Sequence, residues 1–81
     1  MKLVRGMRFE RSYSAAPERV QRAFDKQSLL LTQNLHHPLL RAKKYDESRD
    51  LWQARVNRKW RFYFFIQDDA YFIVDIIPHP K

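Results

Sequence analysis

The chain has 81 residues, of which sixteen are Lys or Arg and nine are Asp or Glu, and its net charge is +7. A chain this short buries only about 60% of its unfolded surface, so we expect one domain over residues 1–81. The absence of cysteine excludes a disulfide framework and a zinc–thiolate site. No stretch approaches the roughly 20 apolar residues that cross a bilayer, so we expect a cytoplasmic protein. The positive charge favours a polyanionic partner, for which nucleic acid, an acidic protein and an anionic membrane surface are candidates.

The first half of the chain carries one alternating and one helical pattern. Residues 7–13 alternate apolar and polar side chains, which is typical of a strand. Apolar residues then recur at helical spacing over 17–34, after a start that Pro17 in the first turn favours. We predict one amphipathic helix here, with a possible break near Gln27. It should end before Pro38, because proline disfavours helical geometry in the preceding residue.

The second half of the chain is predicted to form a sheet. Residues 37–50 show no period and are expected to be a long, basic loop of the kind that carries function. Strands are predicted over 51–56, 60–66 and 70–77, the last two joined by a two-residue turn at Asp68-Asp69. The predicted fold is therefore α+β, in the order β-α-β-β-β, with one or two helices packed on a twisted, mainly antiparallel sheet.

Alternation in the last two strands assigns side chains to two sheet faces. One predicted face is mostly aromatic and aliphatic: Trp60, Phe62, Phe64, Ile66, Tyr71, Ile73, Asp75 and Ile77. The other is also largely apolar but includes Arg61, with Tyr63, Phe65, Phe72, Val74 and Ile76. One helix can cover only one of these faces. We therefore predict a partly open face, a groove or a partner surface, that carries Arg61.

The residues that suit catalysis are cations and histidines. The sequence has no Gly-rich phosphate loop, no paired carboxylates in an apolar frame and no cysteine nucleophile. Phosphodiester cleavage needs a base, an acid and cations near the phosphorane, and histidine can serve as either acid or base. His79, His37 and Arg61 are the candidates. The alternative roles are a solvated terminus for His79, a helix-ending loop residue for His37 and an ion pair with Asp75 or an acidic loop residue for Arg61.

The excess positive charge is concentrated in residues 41–61, which hold eight basic residues against three acidic ones. These cations suit either a solvated basic surface or a set of anchors for nucleic-acid phosphates. Three histidines with neither a cysteine nor a clear carboxylate partner do not make a plausible ligand set, so we expect no metal site.

Residues 52–64 form the pattern W-x-x-R-V-N-x-x-W-R-F-x-F. A polar and basic loop containing Pro38-Leu39 precedes the pattern, and a last strand that ends in His79 follows it. This arrangement resembles the RelE/ParE superfamily of type II toxins from bacterial toxin–antitoxin modules, with the HigB, YoeB and RelE-like branches nearest. The resemblance extends from Met7 onward and is most specific in the second half of the chain.

The resemblance implies a ribosome-dependent mRNA endonuclease that needs no metal or other cofactor and is neutralised by a cognate antitoxin. It implies that Arg61 contacts the scissile phosphate, that His79 transfers protons and that His37, before Pro38-Leu39, occupies the place of a base. The residues expected to bind RNA or the ribosome are Arg41, Lys43, Lys44, Arg55, Arg58, Lys59 and Lys81. Relatives often place an aromatic residue beside the terminal histidine, whereas Pro78 and Pro80 flank His79 here.

Two other functions fit the same pattern. One is a ParE-like inhibitor of DNA gyrase without catalysis, although such relatives usually lack the terminal histidine. The other is a basic RNA-binding module that has lost activity. In all three cases the partly open apolar face and the basic surface indicate a small acidic antitoxin as partner, with ribosome and mRNA as further partners of the nuclease. No membrane partner is expected.

Overall fold

A computed structural model of the chain describes residues 1–79. Within them, two helices and five strands follow one another as β1 (Lys2–Arg5), α1 (Met7–Ala15), α2 (Glu18–Gln33), β2 (Lys43–Asp46), β3 (Leu51–Arg55), β4 (Trp60–Gln67) and β5 (Ala70–Pro78). A short 3-10 helix, Glu47–Arg49, connects β2 and β3. The predicted α+β class is confirmed. No helix in this part of the chain is long and apolar enough to span a membrane.

The strands form one mixed sheet in the order β1-β5-β4-β3-β2. β1 runs parallel to β5, and the other three neighbouring pairs are antiparallel. Helices α1 and α2 carry the chain from β1 at one edge of the sheet to β2 at the other, and β3 and β4 then lead back to β5 beside β1. The mainly antiparallel sheet is therefore as predicted, but it has five strands where four were expected.

The core lies between the two helices and one face of the sheet. Phe9 of α1 packs against Phe24 of α2 with ring centroids 4.7 Å apart, and Phe24 meets Phe62 of β4 edge-on at 5.1 Å. These three rings are fully buried, as are Val20 and Leu31 at helical spacing along α2. Burial of an aromatic or aliphatic side chain contributes about 1.5–3 kcal/mol, so this layer supplies much of the stability. Within residues 1–79, no helix covers the opposite face of the sheet.

The strand predicted over residues 7–13 is wrong, because Met7–Ala15 is helix α1. The pattern is ambiguous: Phe9 and Tyr13 alternate with polar residues, but they also lie four apart, where a helix places them on one face. Their rings are 5.5 Å apart and both pack against Phe24. The N-terminal strand is instead Lys2–Arg5. Gly6 comes directly after this strand and lies close to β5, because a Cβ at this position would be 3.1 Å from the Ile73 carbonyl oxygen.

The structureless loop predicted over 37–50 is also wrong in part. Lys43–Asp46 forms the edge strand β2, paired with β3 through an irregular register between Lys44 and Asp46. A four-residue, charged edge strand has too little apolar alternation to be predicted from sequence. The prediction of one amphipathic helix is confirmed. Helix α2 (Glu18–Gln33) continues without interruption at Gln27, where a break was considered possible.

A bulge in β5 changes the predicted sheet faces. The two-residue turn is confirmed, since Gln67 pairs with Ala70, and the register continues to Phe64 opposite Ile73. Tyr63 then faces Asp75, which leaves Val74 as an extra residue. Ile76 is consequently buried opposite Phe62, and Asp75 moves away from the core. The assignment of Asp75 and Ile77 to the core face, and of Ile76 to the open face, was wrong, because one extra residue reverses every later side chain.

Candidate functional site

The sheet face opposite the helices brings two arginines side by side. Arg55 of β3 and Arg61 of β4 are direct cross-strand partners, and Gln53 and Tyr63 form the next row. Like charges directly opposite each other are destabilising in a sheet, so this pair needs a compensating interaction. The prediction that Arg61 lies away from the core aromatics is confirmed by its register with Arg55.

A cavity of about 200 Å³ lies at this row and has no acidic residue in its lining among the described residues. Two of the three predicted catalytic residues and three of the predicted RNA-binding residues meet there; the six lining residues are Arg41, Lys43, Gln53, Arg55, Arg61 and His79. Four permanent cations therefore face one small volume. A phosphate group is the type of ligand that such a cluster of cationic donors suits.

Arg61 is held in place by backbone oxygens. Its Nη1 donates to the carbonyl oxygen of Asn57, in the β3–β4 connection, at 2.8 Å and to that of Trp60, the first residue of β4, at 2.9 Å. Burial lowers the pKa of Arg61, and the positive charges of Arg55 and Arg41 lower it further. The alternative of an ion pair with Asp75 is not observed, because Asp75 pairs with Arg8 at 3.3 Å. No carboxylate within residues 1–79 forms an ion pair with Arg61.

His79 directly follows β5 and is fixed through its backbone. Its N–H donates to the carbonyl oxygen of Lys59 at 2.6 Å, while Pro78 pairs with Trp60. The exposed side chain lines the cavity beside Arg61. The prediction for Lys81 lies outside the described residues.

His37 does not line this cavity. It sits in a turn after α2, where its Nδ1 accepts a hydrogen bond from the Leu39 N–H at 3.1 Å and its carbonyl accepts one from Leu40. This geometry matches the alternative role of a helix-ending loop residue, and a catalytic role for His37 stays a prediction.

Arg41 reaches the cavity because of the path of the loop that precedes β2. The Leu40 carbonyl accepts a hydrogen bond from the Arg55 N–H at 2.8 Å, which ties the loop to the end of β3. Arg41 itself has φ of 46°, a left-handed conformation that is uncommon for a residue with a side chain. Backbone strain of this kind concentrates at functional sites.

The remaining predicted RNA-binding residues lie elsewhere. Lys44 projects away from the cavity, with its ammonium 2.9 Å from Asp50 and 5.4 Å from the centre of the Trp52 ring. The hydrogen bond to Asp50 raises the pKa of Lys44. Arg58 and Lys59 are exposed in the β3–β4 connection, where they line a separate cavity of about 310 Å³ with Arg19.

Sequence reasoning missed Gln53, Tyr63 and Lys26 as site residues. Gln53 Nε2 donates to the Tyr63 hydroxyl at 3.0 Å, and both side chains are buried beside the cationic row. Strand alternation, which places Gln53 on the same face as Arg55, was the available signal. Lys26 lines a third cavity, of about 660 Å³, that shares Arg41 and Arg55 with the first. No local pattern could have connected this helix residue with β3.

The described residues contain no group of three or more His, Cys, Asp or Glu that could hold a metal ion. The charged side chains that line the small cavity are three arginines, one lysine and one histidine. Arginine forks can neutralise a phosphorane and fix its orientation, and an adjacent imidazole can exchange a proton with it.

No family model matches the chain, and no curated protein matches its sequence. Solved structures do match its fold. A YoeB/ParE toxin from Agrobacterium tumefaciens superposes with a TM-score of 0.79 at 14% identity, over 99% of this chain and 100% of that one. RelE in the archaeal RelE–RelB complex from Pyrococcus horikoshii OT3 gives a TM-score of 0.81 at 15% identity, over 99% of this chain and 96% of that one. A chain of the heterotetrameric YoeB–YefM toxin–antitoxin complex from Staphylococcus aureus gives a TM-score of 0.77 at 10% identity, over 99% of this chain and 98% of that one. The chain thus has the fold of RelE/ParE superfamily toxins, as the sequence resemblance predicts.

Proposed function

We propose that this chain, with its RelE-like fold, is the toxin of a bacterial toxin–antitoxin module and acts as a metal-independent endonuclease on mRNA at the ribosome, in the cytoplasm. The observation that carries the proposal is the small cavity without acidic residues, where Arg41, Lys43, Arg55 and Arg61 surround one volume beside His79. A solvated basic face would not need four cations and a histidine converging on one side of a sheet.

The reaction follows from the chemistry of RNA. A 2′-hydroxyl attacks the adjacent phosphorus, the bond to the 5′-oxygen breaks, and a 2′,3′-cyclic phosphate and a 5′-hydroxyl result. Arg61 and Arg55 stabilise the negative charge that builds up on the phosphorane. His79 exchanges a proton with the attacking or leaving oxygen, for which its exposed position at the cavity is suitable.

We also propose an antitoxin as the partner that silences the chain. Two of the structural neighbours are toxin chains in complexes with antitoxins. The sheet face outside the cavity offers a partly exposed stacked pair, Phe65 and Phe72, with ring centroids 5.1 Å apart. A net charge of +7 makes an acidic partner the complementary one.

Expression of the wild type and two variants in bacterial cells tests the nuclease. Wild-type protein should arrest growth and produce new mRNA ends, while Arg61→Ala and His79→Ala should leave transcripts largely intact. Arg11→Ala, on the exposed side of α1, is the control for loss of one charge.

Growth arrest by the wild type with intact transcripts would contradict the nuclease. Inhibition of purified DNA gyrase in a supercoiling assay would then support the ParE-like alternative. Salt-sensitive binding to RNA without cleavage on translating ribosomes would support the inactive binding module.

A further inference from the structure

A second cavity, larger than the one that contains Arg61 and His79, lies beside the candidate active site. It has a volume of about 660 Å³ and opens between α2, the loop after it and the end of β3. Arg41 and Arg55 line both this cavity and the small one that contains Arg61 and His79. The two cavities therefore meet at a pair of arginines, and a ligand that is long enough can occupy both.

The charge of the large cavity favours an anion. Lys26 and Arg58 add to the two shared arginines, and none of the described residues in the lining is acidic. None of the four cations takes part in an ion pair within residues 1–79. Unpaired cations around one concave surface attract a ligand that brings its own negative charge.

The walls of the large cavity favour a ligand with a flat, apolar part as well. Ala23, Pro38, Leu39 and Val56 supply apolar surface between the cations. Inorganic phosphate would gain nothing from such walls, whereas the faces of a nucleobase would. The volume also lies within the range of about 300–1,000 Å³ that is typical of small-ligand sites.

Gln27 supplies a polar group that the fold leaves available. It is only 7% exposed, and its Nε2 donates to the carbonyl oxygens of Leu39 at 2.9 Å and Arg55 at 2.8 Å. These bonds tie helix α2 to the other two walls. Its Oε1 accepts no hydrogen bond from the described residues and is not fully buried, and Gln27 is one of the residues that line the cavity. A donor from the ligand, such as the exocyclic amine of a base, suits this oxygen.

We propose that the large cavity is a nucleotide subsite of the RNA-binding surface. It binds the base of a nucleotide next to the cleaved bond, with that base donating to Gln27 Oε1 and its phosphate held by Arg41 and Arg55. Lys26 adds to the attraction for the backbone. This inference rests on the proposed function, because the small cavity is taken to hold the reacting phosphodiester.

Titration of the isotope-labelled protein with CMP, UMP and inorganic phosphate tests the subsite by NMR, without any cleavage. CMP should shift the backbone amides of Ala23 and Gln27, and UMP, which carries an oxygen where CMP carries the amine, should bind more weakly. Phosphate alone should shift only the neighbourhood of Arg41 and Arg55. An equal shift at Ala23 with phosphate, or none there with CMP, would overturn the subsite.

Two variants probe the cavity from different sides. Ala23→Leu fills it and should abolish the CMP shifts, whereas Ala15→Leu, the same change at an exposed helical position, should not. Lys26→Ala should weaken the binding of CMP by about two- to fivefold, the size expected for one solvent-screened ionic contact. Lys2→Ala should have no effect on CMP binding. If Ala23→Leu and Lys26→Ala both bound CMP as tightly as the wild type does, the assignment of the large cavity would be contradicted.

Cleavage separates this inference from the proposed function. If the wild type cleaves mRNA and Ala23→Leu cuts the same sites at the same rates, the subsite is wrong and the nuclease stands. If CMP binds in the large cavity but the wild type leaves ribosome-bound mRNA intact, the proposed function is wrong and a nucleotide site remains.

Discussion

Arg61 is a partly buried cation with two other arginines nearby and no acidic partner within residues 1–79. Burial and neighbouring positive charge both oppose the charged form, and they lower the pKa of Arg61. An arginine keeps its proton at neutral pH even so. The folded protein thus carries an electrostatic cost at this position, which a bound phosphate would relieve.

Gln27 is the residue whose replacement tests the packing of the site. Gln27→Leu removes the amide group that donates to the carbonyl oxygens of Leu39 and Arg55 in two partly buried hydrogen bonds. We expect the free energy of unfolding in urea to fall by about 1–3 kcal/mol, the cost of losing these bonds and leaving their acceptors without partners. Gln33→Leu, exposed at the end of the same helix, is the matched control and should change it by less than about 0.5 kcal/mol. Equal effects of the two substitutions would show that the hydrogen bonds from Gln27 to Leu39 and Arg55 contribute nothing to stability.

At the scale of elements, the bulge in β5 makes a prediction about two neighbouring isoleucines. Ile76 is 1% exposed opposite Phe62, whereas Ile77 is 36% exposed opposite Arg61. Ile76→Ala should therefore lower the free energy of unfolding by about 2–5 kcal/mol. Ile77→Ala should lower it by roughly 1 kcal/mol or less, because little buried surface is lost. Urea denaturation measures both, and the reverse order would indicate a strand without the bulge.

The corner between β2 and β3 depends on one ionised carboxylate. Asp46 accepts hydrogen bonds from the Ser48 hydroxyl at 2.7 Å and from Arg49 Nε at 2.8 Å, and these bonds lower the pKa of Asp46. A folded-state pKa below the unfolded value of about 4 means that the stabilisation is present above pH 4 and is lost as the pH falls through the folded-state value.

Asp46→Asn should accordingly melt at a lower temperature than the wild type at pH 7. The difference should shrink as the pH falls from about 4, because the wild type then loses the same charge. Asp69→Asn serves as the control, since the Asp69 side chain has no hydrogen bond or ion pair within the described residues. A difference between Asp46→Asn and the wild type that stays constant from pH 7 to pH 2 would contradict the role of the charge.

The elements differ in how far the sequence could predict them. The β4–β5 hairpin was predictable because alternation is strong and a two-residue turn separates two aromatic strands. The bulge at Val74 was not, since no local residue type requires it and its reason lies in the packing of Ile76 against Phe62. Strand β1 is four residues long, and its identity depends on pairing with β5 across the whole chain.

At the scale of the whole molecule, the fold brings cations from separate elements to one place. The convergence of Arg55 and Arg61 follows from strand alternation and could be predicted. The position of Arg41 depends on a left-handed backbone conformation in the loop. The position of Lys26 depends on how α2 lies against the end of β3. Such tertiary placements leave no periodic signal in the sequence.

The same arrangement divides the molecule into two functional layers. Both helices and the aromatic side of β4 form the core, while the opposite side of the sheet carries the cations and partly exposed apolar residues such as Phe65 and Phe72. The proposed RNA cleavage can therefore be tested with substitutions on the open side that leave the core intact. This separation is what makes the catalytic proposal testable by single substitutions.

The most direct test is single-turnover cleavage of a labelled mRNA on purified ribosomes. The wild type should yield fragments ending in a 2′,3′-cyclic phosphate and a 5′-hydroxyl. Arg61→Ala should cut more slowly by a factor on the order of 10²–10³, as for other losses of one charge-stabilising group. His79→Ala should also be impaired, while Arg11→Ala should cut at the wild-type rate. Intact mRNA with the wild type, or wild-type rates for Arg61→Ala and His79→Ala, would contradict the assignment of the small cavity as the active site.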